Sequence, residues 1–198
     1  MDPVYGERLA EFSRERLDGR PVPDDLRVLL VAQWEGRDDF ARLLGLEFFE
    51  PGELHPFLDT GYLSEEELAD PEMQAVNAGA ARMAAYVKLV AKGGKGWVGY
   101  WLHPDEPAGR PIELDTEFTL WPMSGSTLSE GAAAEQAHYQ DEPDERVAYA
   151  QLAEELAALG LPLGAAEYDA LDDNDYAVDP GKLMETLIEA ERAKRGLG

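Results

Sequence analysis

Residues 85–121 read AYVKLVAKGGKGWVGYWLHPDEPAGRPIELDTEFTLW, and this stretch decides the fold. Ala85, Val87, Leu89 and Ala91 alternate with Tyr86, Lys88, Val90 and Lys92, the two-residue period of a strand with one face on a core. Gly93-Gly94-Lys95-Gly96 turns the chain. Alternation then resumes from Trp97 to His103, with Val98, Tyr100 and Leu102 on one side and Trp97, Gly99 and Trp101 on the other, which makes a hairpin. After a turn over His103 to Arg110, Ile112 and Leu114 mark a third strand. Asp115-Thr116-Glu117 connects it to a fourth from Phe118 to Trp121, and Pro122 ends the ladder by removing a donor. The expectation is a four-stranded antiparallel meander.

Helices flank it. Tyr5, Leu9 and Phe12 recur at helical spacing in a segment closing near Asp18-Gly19, and Leu26, Leu29, Leu30 and Trp34 follow Pro23-Asp24-Asp25 as a second stripe. Asp38 or Asp39 opens a short helix that Gly45 closes, and Leu46 to Phe49 is a short strand or edge. Ser64 and Glu67 have capping-box spacing, and Asp70-Pro71 starts a helix with Met73, Val76, Ala80 and Met83 on one face. Beyond the sheet, an Ala-rich helix spans Leu128 to His138. Two more carry the stripes Tyr149, Leu152, Leu156, Leu159 and Leu183, Met184, Leu187, Ile188, packed on the same core as the sheet. The fold class expected is α+β, a mainly antiparallel sheet packed with helices, as one domain over residues 1–198.

At 198 residues and 44% hydrophobic the chain can bury a substantial core. It contains no Cys, which excludes disulfides and thiolate chemistry. Met1 to Phe12 has charged residues and no apolar run, so no signal peptide is expected, and no window approaches the ~18 apolar residues of a membrane span. A soluble, cytoplasmic protein is the expectation. Forty-one acidic against 17 basic residues give a formal charge of -24, which disfavours nucleic acid and anionic lipid and leaves basic partners open. The same charge also serves solubility alone.

Catalytic equipment is not evident. His55, His103 and His138 lack paired metal-ligand spacing, Met123-Ser124-Gly125-Ser126 is not a nucleophile elbow, and Gly93-Gly94-Lys95-Gly96 lacks the spacing of a phosphate loop. Asp173, Asp175 and Asp179 begin like a calcium loop, but Val178 and Met184 stand where its Gly and Glu belong. No metal or cofactor is expected. From Ser124 to Glu191, Arg146 and Lys182 are the only Lys or Arg among many carboxylates. Asp141, Glu142, Asp144, Glu145, Asp172, Asp173 and Asp175 are therefore the candidate partner-binding residues. Lys88, Lys92 and Lys95 gather on one hairpin, where Lys protecting a sheet edge is the simplest role.

Pro23-Asp24-Asp25-Leu26-Arg27, the helix to Trp34-Glu35-Gly36, Gly45-Leu46-Glu47-Phe48-Phe49 and Glu50-Pro51-Gly52-Glu53-Leu54 resemble the opening of the SMI1/KNR4 (SUKH) superfamily. Gly96-Trp97-Val98-Gly99-Tyr100, Pro111 to Asp115, Phe118 to Leu120 and the helix from Leu128 continue the resemblance, which covers roughly residues 21–138. The chain departs from that pattern at Glu35-Gly36, where the family has Asn-Gly or Gly-Gly, and in an insertion around Leu63 to Met83. The resemblance implies an α+β fold used for binding rather than catalysis, with no catalytic residue to carry over. It implies a protein partner: a toxin in bacterial immunity proteins, regulatory assemblies in fungal members. A housekeeping scaffold module and a metal-dependent enzyme using Asp and Glu are the alternatives.

Overall fold

The computed structural model describes residues 3–50, 52–106, 109–139, 144–173 and 175–197. Among them the chain forms eight α-helices and a five-stranded antiparallel sheet, an α+β fold. The strands are β1 (Glu47–Phe48), β2 (Val87–Lys92), β3 (Gly96–Trp101), β4 (Arg110–Asp115) and β5 (Leu120–Pro122), hydrogen-bonded in chain order. The expected meander thus gains a first strand, with Glu47 opposite Lys92 and Phe48 opposite Ala91. Pro122 lies within β5 opposite Ile112 instead of ending the ladder before it; on an outer strand its missing N–H is tolerated.

Helices cover both faces of the sheet, a correction to the one-sided core that alternation suggested. They are α1 (Pro3–Arg16), α2 (Asp24–Trp34), α3 (Asp39–Leu44), α4 (Glu65–Ala69), α5 (Pro71–Met83), α6 (Leu128–Tyr139), α7 (Glu145–Ala158) and α8 (Pro180–Lys194). In β3, Val98 and Tyr100 join an apolar cluster with α1, α2, α3, α6 and α7, while Trp101 joins a second cluster with α5 and α8. In β2, Val87 and Leu89 serve the second cluster but Val90 and Ala91 both serve the first. Strict alternation fails there because the register against β3 slips between Leu89 and Ala91, leaving Val90 as an extra residue. Tyr149, Leu152 and Leu156 of α7 lie in the first cluster and Leu187 of α8 in the second, so the two stripes expected on one core occupy opposite faces.

Local signals set the helix ends. Ser64 and Glu67 form the capping box, Asp70 accepts from the Glu72 N–H at 2.7 Å, and Asp179 accepts from the Lys182 N–H at 3.1 Å. The buried face of α5 is Ala75, Gly79, Ala80 and Met83, with Met73 and Val76 only half-buried. α8 sets this pattern. A Cβ on Gly79 would lie 2.6 Å from Ile188 Cγ1 and 2.7 Å from its Cα, so the two helices meet at a distance only glycine permits. No helix among the described residues is long and apolar enough to cross a membrane.

Candidate functional site

Between α7 and α8, residues 161–173 and 175–179 form a strap that passes the start of β4 from one sheet face to the other. Leu171 and Tyr168 pack on the first cluster, Tyr176 and Val178 on the second. The strap has one short 3₁₀ turn, Tyr168–Ala170, and is held mainly by side chains from elsewhere. The Ala165 N–H donates to Glu130 Oε1 at 2.8 Å, and the Ala165 carbonyl accepts from the Tyr149 hydroxyl at 2.9 Å. The Gly125 N–H donates to the Asp172 carbonyl at 3.0 Å, the Val178 N–H to Glu106 Oε1 at 3.1 Å, and the Tyr176 hydroxyl to the Pro111 carbonyl.

Glu130 anchors the near end. Its carboxylate is 2% exposed and also accepts from the Ser126 N–H at 2.8 Å, the Ser126 hydroxyl at 3.0 Å and the Thr127 N–H at 3.1 Å. Burial pushes its pKa up, but the hydrogen bonds from Ala165, Ser126 and Thr127 outweigh that and hold it below the ordinary value. Sequence reading passed over this residue, which lies in the first turn of an Ala-rich helix with nothing nearby to mark its distant partner.

The strap's outward carboxylates are exposed: Glu167, Asp169, Asp172, Asp173 and Asp175. Asp144 caps α7 by accepting from the Arg146 N–H at 3.0 Å, and Glu145, half-buried beside it, accepts from the Tyr168 hydroxyl at 3.3 Å. Of the candidate partner-binding residues, Asp144, Glu145, Asp172, Asp173 and Asp175 thus lie on the strap or on the helix end tied to it; Asp141 and Glu142 lie outside the described residues. Two arginines take up part of the charge. Arg146 Nε is 2.9 Å from both Asp169 oxygens, and an Arg110 guanidinium nitrogen is 2.8 Å from Asp172 Oδ2. Glu167, Asp173 and Asp175 have no ion-pair partner among the described residues.

The lysine hairpin has a different role from the expected edge protection. β2 is an inner strand between β1 and β3, and each lysine holds a carboxylate: Lys88 with Asp18 at 2.8 Å, Lys92 with Glu53 at 3.0 Å, Lys95 with Glu135 at 2.5 Å. Trp101 is fully buried, which removes it as a contact surface; the exposed tryptophan is Trp121, on β5 opposite Glu113. Glu113 is 4% exposed, and burial followed by the charge of Glu135 raises its pKa to about 7 against the opposing effect of Lys95. His55 is structural: its Nδ1 accepts from the Phe57 N–H at 3.2 Å, so Nε2 carries the proton and donates to the Val87 carbonyl at 3.0 Å. No group of three or more His, Asp or Glu among the described residues is arranged to hold a metal ion. Comparison with family models, characterised proteins and solved structures returned no match to this chain.

Proposed function

We propose that this chain is a non-catalytic, cytoplasmic protein-binding domain of the SUKH type whose acidic strap docks on a basic surface of its partner, a toxin domain in the immunity form of that role. The observation that carries the reading is the strap itself. Its backbone is fixed at one end by buried Glu130 and toward the other by half-buried Glu106, while Glu167, Asp169, Asp172, Asp173 and Asp175 are exposed, so a docking partner meets carboxylates carried on a backbone already ordered and that part of the entropy cost is avoided. A formal charge of -24 adds a long-range attraction for cationic surfaces.

A second reading rests on Glu113, whose pKa of about 7 is suited to proton transfer near neutrality. Its burial leaves little room for a substrate, so binding is the stronger reading. The test is affinity capture from the native cell with the wild-type chain and with a Glu167→Lys, Asp173→Lys, Asp175→Lys variant. The expected result is a basic protein retained by the wild type and lost from the variant; equal recovery on both would contradict the strap as the binding face. Suppression of the captured protein's toxicity identifies immunity, and a non-toxic partner identifies a scaffold role.

A further inference from the structure

An open cavity of about 400 Å³ is walled by the end of α1, the segment after β1 and the start of β2, within the size range that takes small organic ligands. Arg16 and Lys88 both line it, although they are only 7% and 8% exposed. Arg16 is a buried cation without a carboxylate. Its Nη2 donates to the Glu53 carbonyl at 2.7 Å and the Glu50 carbonyl at 3.3 Å, its guanidinium lies 4.5 Å over the Phe49 ring, and it forms no ion pair among the described residues. A buried charge is costly unless it is paired. Burial accordingly lowers its pKa, against the charges of Glu53 and Glu15, which lie beyond ion-pair distance. Arg16 Nε and Nη1 make no hydrogen bond among the described residues, and neither atom is sealed from solvent.

Lys88 Nζ donates to the Ala84 carbonyl at 2.6 Å and pairs with Asp18 Oδ2 at 2.8 Å, which leaves one of its three N–H donors. The two cations act on a common neighbour: burial first, then the charges of Lys88 and Arg16, lower the pKa of His55 on the same wall to about 4, so its imidazole is neutral. Of the other carboxylates on the cavity wall, Glu53 holds Lys92 at 3.0 Å and Glu15 is exposed. Leu54 and Leu58 also line the cavity, and they are 64% and 51% exposed. A matching ligand thus brings acceptors and a negative charge to the free donors, and a hydrocarbon body to the leucines.

We propose that this cavity binds a carboxylate carrying a short apolar chain, its oxygens held by Arg16 Nη1 and Lys88 Nζ and its chain laid on Leu54 and Leu58. Two sources share that chemistry, a free acid and the C-terminal carboxylate of a peptide ending in an apolar residue. The site shares no residue with the acidic strap. Isothermal titration of the full chain at neutral pH with 4-methylpentanoate, N-acetylleucine and 4-methylpentanamide tests it. Saturable binding of either carboxylate is expected, with none for the amide, which has the same chain and no charge. Tighter binding of N-acetylleucine assigns a peptide end; equal or tighter binding of 4-methylpentanoate assigns a free acid. Arg16→Gln is expected to weaken binding about tenfold or more. Because Arg16 also holds two backbone carbonyls, the unfolding midpoint of that variant is measured alongside. Leu54→Glu, at an exposed position, sets a like charge beside the ligand and is expected to weaken binding about as much with the fold intact. Failure of both carboxylates to bind, binding of the amide, or unchanged affinity in Leu54→Glu or in a folded Arg16→Gln would overturn the proposal.

Discussion

The Glu130 carboxylate joins the start of α6 to a residue 35 positions away, and that single group accounts for much of the strap's near anchor. Because its folded pKa lies below the ordinary 4.5, its ionised form contributes stability that is fully present above about pH 4.5 and is lost as pH falls through the folded value. Glu130→Gln would place an amide donor against N–H groups that need acceptors. Leaving buried donors unsatisfied costs roughly 1 to 3 kcal/mol, so the variant is expected to lose about that much at pH 7 in urea unfolding, with the deficit shrinking below pH 4.5. A pH-independent deficit would mean that packing, not charge, is what Glu130 supplies. Nothing in the neighbouring sequence announces such a residue. The same holds for Lys88, Lys92 and Lys95, whose carboxylate partners lie in the turn after α1, in the segment after β1 and in α6.

At the level of elements, the meander was legible because side-chain alternation follows directly from strand geometry, and the caps at Ser64 and Asp70 because they depend on neighbours in sequence. Two-sided burial was not, since Trp97-Val98-Gly99-Tyr100-Trp101 is apolar on both sides and period alone does not say how many faces are covered. The strap was not legible either: it has no period, and its holds come from Glu130, Arg110, Glu106 and Tyr149. The α5–α8 contact gives a prediction at this scale. In Gly79→Ala the added methyl meets Ile188 backbone as well as side chain, which cannot rotate away, so a loss of about 1 to 3 kcal/mol is expected from overpacking. Chemical denaturation checks it, and an unchanged midpoint would show that α8 is free to shift.

Across the whole molecule, half-buried His55 and buried Glu113 give opposed pH dependences. Burial lowers the His55 pKa to about 4, so between the ordinary 6.5 and 4 the unfolded chain binds the proton and stability falls as pH drops. Glu113 does the reverse: with its pKa raised from 4.5 to about 7, the folded chain binds the proton in that interval and stability falls as pH rises. Glu113→Gln, which stays neutral, is therefore expected to gain stability over the wild type progressively from pH 4.5 to 8. Urea midpoints measured at both ends check this, and a constant difference would show that Glu113 titrates normally. Binding is the other property of the whole surface. Charges at the rim of an interface act chiefly on the association rate and are screened by salt. The most direct measurement is thus the association rate against the captured partner from low to high ionic strength, for the wild type and the Glu167→Lys, Asp173→Lys, Asp175→Lys variant. The account predicts a rate that falls steeply with salt in the wild type, and one that is lower and flatter in the variant with the dissociation rate little changed; a rate indifferent to salt and to the three substitutions would contradict it.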